Sequence, residues 1–223
     1  MIEVLPAILA DDADMLRERL SFSGFWTSEM TAHVDILDGS MFDAECFCDP
    51  SAVATVPAVP GIELHCMTRN PLPIIEQWKQ LVPQTVRAIV HAEIDRPLDP
   101  ILARIRELKL ETGVAFCPET RINVLEALPS LPDRVLIMGI QPGASGRPFI
   151  GDEILAKIRR LRREHPSLHI SVDGGIILEN ASAILEAGAS SLVAASAVWN
   201  TPNPRKSYEH LVHRATLHVH NRV

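Results

Sequence analysis

Eight short apolar runs of strand character, separated by stretches of helical character, recur along this 223-residue chain. The strand-like runs cover residues 4–9, 33–37, 62–67, 88–91, 113–117, 135–140, 170–172 and 192–195. Between them, apolar residues recur at helical spacing over 13–22, 100–110, 152–164, 180–187 and 204–220. Ile101, Leu102, Ile105 and Leu108 make one such stripe; Ile154, Leu155, Ile158 and Leu161 make another, with Arg159, Arg160, Arg162 and Arg163 on its wet side. Gly188 is a natural stop for the segment before it. Only 39–59, with Pro50 and Pro57, has no clean period. Strands alternating with helices call for a parallel sheet. Eight repeats in this length match a small (β/α)8 TIM barrel. A doubly wound sheet usually carries a phosphate loop after its first strand, and neither G-x-G-x-x-G nor G-x-x-x-x-G-K-[ST] occurs. No composition break divides the chain, so residues 1–223 are expected to form one barrel domain.

In such a barrel the chemistry sits at the C-terminal ends of the strands. His33 and Asp35 close the second run, His65 the third and Asp173 the seventh. Side chains alternate faces along a strand, so His33 and Asp35 point the same way. Val34, Ile36, Leu64, Cys66 and Val172 should then face the helices. Two imidazoles and two carboxylates converging on one point form a divalent-metal site, suited to moving a proton beside a carbonyl. Glu63 shares the parity of His65, one layer deeper, and is expected to orient it. His91 and Glu93 read equally as supporting groups or as loop polar residues.

Composition narrows the class. A net charge of −7 argues against nucleic acid as partner. No apolar run approaches a membrane span, and residues 1–6 show no basic region before an apolar stretch, so no signal peptide is expected. Four cysteines make no disulfide framework, and a reducing cytoplasm is the simplest compartment. Cys46 and Cys48, a lone C-x-C, are expected to pack; His210, His213, His218 and His220 are expected on a solvated or interface face of the last helix.

The ordered motifs resemble one family, the ribulose-phosphate 3-epimerases. Pro6-Ala7-Ile8-Leu9 is similar to its P-S-I-L, and His33-Val34-Asp35-Ile36-Leu37-Asp38-Gly39 to its H-[VI]-D-[VI]-M-D-G. His65-Cys66-Met67 resembles H-L-M, the segment 138–149 resembles M-x-V-x-P-G-F-G-G-Q-x-F, and Val172-Asp173-Gly174-Gly175-Ile176 resembles V-D-G-G-I. The resemblance implies a barrel with one divalent metal (Zn, Fe, Mn or Co) on His33, Asp35, His65 and Asp173. It also implies Asp35 and Asp173 as the acid–base pair inverting C3 of a ketopentose phosphate. Met67 and Leu37 would form an apolar wall, and Ala7 and His65 would stand with them around the phosphosugar. Its phosphate needs a binder. Gly143, Ala144, Ser145 and Gly146, with Gly174, Gly175, Ala195 and Ser196, follow the last three strands, where backbone N–H groups serve that purpose; Arg147 would add charge. Family members usually assemble into dimers or larger. Ala7, Leu37, Ala144, Ser145 and Ala195 depart from the family pattern. They keep open another ketose phosphate, or a barrel that binds a phosphosugar without turnover. A lyase or decarboxylase on the same scaffold ranks last, because Lys79, Lys109, Lys157 and Lys206 fall outside the strand ends.

Overall fold

The eightfold alternation closes on itself. The computed structural model describes residues 2–22, 24–54, 56, 59–143 and 146–220, the last three of these by backbone alone. Strands β1 (Glu3–Ile8), β2 (Thr31–Leu37), β3 (Gly61–Met67), β4 (Thr85–His91), β5 (Glu111–Phe116), β6 (Arg134–Met138), β7 (His169–Asp173) and β8 (Ser191–Ala194) each pair in parallel with the next. β8 pairs back onto β1, giving the closed TIM barrel. Around it run α1 (Ala13–Leu20), α2 (Pro71–Leu81), α3 (Leu98–Glu107), α4 (Asp152–Glu164), α5 (Leu178–Glu186), α6 (Ser196–Trp199) and α7 (Pro204–His220).

Strand parity sorts the core into two layers. Val34, Ile36, Leu64, Cys66 and Val172 face outward into the main core beneath the helices, as the alternation predicts. Leu5, Ala7, Ile89, Ala115, Leu136, Met138 and Val193 fill the barrel lumen. Each large aliphatic side chain buried this way contributes about 1.5–3 kcal/mol. Below the apolar layer, the lumen is closed by ions. Arg87 reaches Glu63 and Glu111, each at 2.7 Å, and Arg134 reaches Glu3 at 3.3 Å.

Several elements differ from the sequence reading. α2 is absent from it, because Pro71 and Pro73 obscure the helical period. Proline is tolerated at the first turn, where no intrahelical N–H bond is lost, and Ile75 and Trp78 bury the inner face. After β5, where the sequence shows no helical spacing, there is a 3₁₀ stretch, Ile122–Ala127. α3 also ends early, at Glu107, with Lys109 in the left-handed region at φ 61°. Among the described residues, no helix is long and apolar enough to cross a membrane.

Candidate active site

Sheet register brings the four predicted ligands together. In the β2–β3 pairing His33 lies beside Glu63, and Asp35 beside His65. Asp173, ending β7, completes the group. His65 Nδ1 is 3.0 Å from Asp35 Oδ1 and 3.6 Å from Asp173 Oδ2; His33 Nε2 is 3.4 Å and 3.9 Å from the same two oxygens. One donor atom from each residue lies within 4.8 Å of all the others. All four residues are buried.

Glu63 supports a different histidine from the one expected. Its Oε1 accepts from His33 Nδ1 at 2.6 Å, not from His65. The parallel register sets Glu63 across from His33, whereas His65 lies two residues further along its own strand. With Nδ1–H given to Glu63, His33 turns Nε2 toward Asp35 and Asp173. That fully buried nitrogen has no hydrogen-bond partner. An unpaired buried polar atom is costly, and an imidazole held through its other nitrogen is how a metal-ligating histidine is oriented. Two imidazoles and two carboxylates therefore fit a divalent cation, and their chemistry admits zinc, iron, manganese or cobalt.

Without a cation, protons must balance the cluster. For His33, burial lowers the pKa, but the carboxylates of Asp35 and Glu63 outweigh it and raise it to about 10. Burial raises Asp35, yet His33 and His65 hold its carboxyl well below the usual range. Burial pushes Asp173 up to about 7, and the charges of Asp35 and Glu63 act in the same direction. The two carboxyl groups are thus driven apart, as an acid–base pair requires.

Beside them opens a cleft onto which Asp35 and Asp173 both face. Leu9, Leu37, Met67, Met138, Ile140, Ile176 and Val193 make its apolar wall. Pro142, Gly143, Gly146, Gly174, Gly175, Ala195 and Ser196 line it as well. A Cβ on Gly174 would meet Ile140 Cγ1 at 2.4 Å, and one on Gly175 would meet Phe149 N at 2.5 Å; both have positive φ, 98° and 70°. Only glycine fits there, because Ile140 and Phe149 pack where a Cβ would lie.

Other expected contacts fall elsewhere. Ala7 lies in the lumen layer, 1 % exposed, and Leu9 takes the wall position on that side. The Ala7 carbonyl accepts from Trp199 Nε1 at 2.7 Å. Ala144 and Ser145 lie outside the described residues. Cys46 packs against β2, its Sγ donating to the Asp35 carbonyl at 3.3 Å. His210 and His213 are exposed. The sequence reading missed the apolar wall from Leu9, Met138, Ile140 and Val193. Strand parity was the available signal for Met138, which lies beside Asp173 in the β6–β7 register.

A closed parallel barrel, with titratable groups and glycine turns gathered at the C-terminal mouth, is the layout of the TIM-barrel enzymes. Solved structures agree on the fold. The chain resembles 3-hexulose-6-phosphate synthase from Salmonella typhimurium with a TM-score of 0.69, at 14% identity, over 97% of this chain and 100% of that one. It resembles orotidine 5'-monophosphate decarboxylase from Sulfolobus solfataricus with a TM-score of 0.64, at 12% identity, over 98% and 100%. Sequence comparison is more specific. Residues 3–199 match the ribulose-phosphate 3 epimerase family. The ribulose-phosphate 3-epimerase of Synechocystis is 33% identical over 91% of this chain and 89% of its own. That of Bacillus subtilis is 32% identical over 93% and 96%, and that of Chlamydia muridarum 38% identical over 74% of each. The chain belongs to the ribulose-phosphate 3-epimerase family, isomerases that act on carbohydrates.

Proposed function

We propose that the protein is a metal-dependent 3-epimerase of a ketopentose phosphate, interconverting ribulose 5-phosphate and xylulose 5-phosphate. The observation that carries this reading is the meeting of Asp35 and Asp173 on one cleft, in one cluster with His33 and His65. Family membership supports the substrate class. A divalent cation on His33, Asp35, His65 and Asp173 would supply the positive charge that stabilises an anion forming beside the carbonyl.

The remaining work falls to the chain's own groups. Asp35, held ionised, takes the C3 proton from one face of the substrate. Asp173, facing the same cleft, delivers a proton to the opposite face, and the roles exchange in reverse. Leu37, Met67 and Met138 offer no exchangeable proton and keep water from the carbanion. The phosphate is taken by backbone N–H groups around Gly146, Gly174, Gly175, Ala195 and Ser196, the corner such barrels use for that group. An epimerisation assay of metal-reconstituted protein against a panel of ketopentose and ketohexose phosphates tests the reading. Turnover of ribulose 5-phosphate is expected; turnover confined to another ketose phosphate refutes the substrate, and none on any refutes the activity.

A further inference from the structure

His33 and His65 turn different nitrogens toward the four-residue cluster: Nε2 from His33 and Nδ1 from His65. Glu63 accounts for His33. For His65 a separate set of contacts runs away from the cluster. His65 Nε2 is 2.9 Å from His91 Nε2. The ring planes differ by only 17°, with centroids 5.1 Å apart. A nitrogen contact that much shorter than the centroid separation, between nearly parallel planes, means the rings meet edge to edge. One proton therefore bridges the two nitrogens, along the plane of both rings.

Which ring carries it follows from the next contact. His91 Nδ1 is 2.8 Å from Glu93 Oε2, and Glu93 Oε1 accepts the Cys117 N–H at 2.8 Å. An ionised carboxylate only accepts, so the proton of His91 is on Nδ1. Both rings are fully buried, which favours neutral imidazoles. With a cation on the cluster, the 3.0 Å approach of His65 Nδ1 to Asp35 Oδ1 is a contact between two ligand atoms rather than a hydrogen bond. His91 then offers a bare Nε2, His65 donates from its own Nε2, and His65 Nδ1 is left bare for the cation. The edge of Phe42 against His91, at 5.2 Å between centroids, helps to hold this ring in place.

We propose that His91 and Glu93 are positioning residues that fix the tautomer of His65, so that Nδ1 is the nitrogen presented to a divalent cation. This inference rests on the cation reading of the site above.

Glu93→Gln tests it. The amide keeps an oxygen for the Cys117 N–H but sets an NH₂ donor against His91 Nδ1. His91 is driven to its Nε2–H form, two N–H groups oppose each other, and the His65 proton moves to Nδ1 where it competes with the cation. Competition for Co(II) with a chromophoric chelator should show an affinity about 10- to 100-fold weaker. In a His91→Gln background the side-chain oxygen accepts from His65 without Glu93. There the same change should leave the affinity within about twofold. Equal losses in both backgrounds, or none in either, overturn the proposal. Nitrogen-15 NMR of the Zn(II)-loaded wild type checks it without any variant. The bridging proton should be bonded to His65 Nε2, with coupling across to His91 Nε2; a proton bonded to His91 Nε2 overturns the assignment. Failure of the underlying cation reading is distinguishable, since the wild type itself would then take up no Co(II).

Discussion

Glu63→Gln probes how the barrel interior holds the site. Glu63 is fully buried, and its oxygens serve three groups: His33 Nδ1 at 2.6 Å, Arg87 Nη1 at 2.7 Å and Arg134 Nη1 at 3.3 Å. Glutamine has the same size, so packing survives, but the charge is lost and one accepting oxygen becomes an NH₂ donor set against His33 or the arginines. Two buried guanidinium groups then face a neutral amide. They keep partial compensation. Arg87 retains Glu111 at 2.7 Å, and Arg134 retains Glu3 at 3.3 Å and Glu111 at 3.4 Å. Those carboxylates are 31 % and 53 % exposed for Glu3 and Glu111, so water screens them. Breaking a buried pair costs about 3–5 kcal/mol; the retained partners put the expected loss near the lower end, about 3 kcal/mol. That is a large share of a total stability of about 5–15 kcal/mol. Urea unfolding of chelator-treated protein, followed by circular dichroism, should show a lower midpoint at unchanged slope. A loss within about 0.5 kcal/mol, the range of ordinary surface changes, would refute the reasoning and the account of His33 with it.

Three further outcomes are expected. Gly175→Ala forces a Cβ to 2.5 Å from Phe149 N at φ 70°; backbone strain should raise KM for the phosphosugar by about tenfold or more, read from steady-state kinetics. Cation affinity should rise with pH. Without a cation His33 holds its proton up to about 10 and Asp173 up to about 7. Binding therefore displaces about one proton between those values and about two below pH 7, a change of slope visible in the Zn(II) dissociation constant measured against pH. Trp78→Ala, in the fully buried outer layer, should cost about 3–5 kcal/mol of stability yet leave kcat per folded molecule unchanged, because Trp78 lies outside the cleft.

The barrel was legible because its signal is periodic. Each strand repeats an in–out alternation, and the outward set from Val34 to Val172 was read correctly from parity alone. The four clustered side chains were legible for the same reason: parity and strand ends define one rim. Partners across strands were not. Glu63 shares a face with both His33 and His65, and only the β2–β3 register decides between them. Register is a property of pairing that a single strand's pattern does not contain. The contact of His91 with His65 was hidden likewise, since it depends on how β4 sits against β3. α2 escaped because proline at a helix start mimics a loop in sequence.

The most direct measurement is solvent deuterium entering C3 of xylulose 5-phosphate, whose C3 proton Asp173 removes in the reverse direction, followed by proton NMR in D₂O with metal-loaded protein. Wild type should exchange that hydrogen, and Asp173→Asn, which keeps the shape but neither gives nor takes a proton, should slow exchange by about 10²- to 10⁴-fold. Label appearing at C3 as fast in Asp173→Asn as in the parent would contradict the assignment of Asp173 to the acid–base pair.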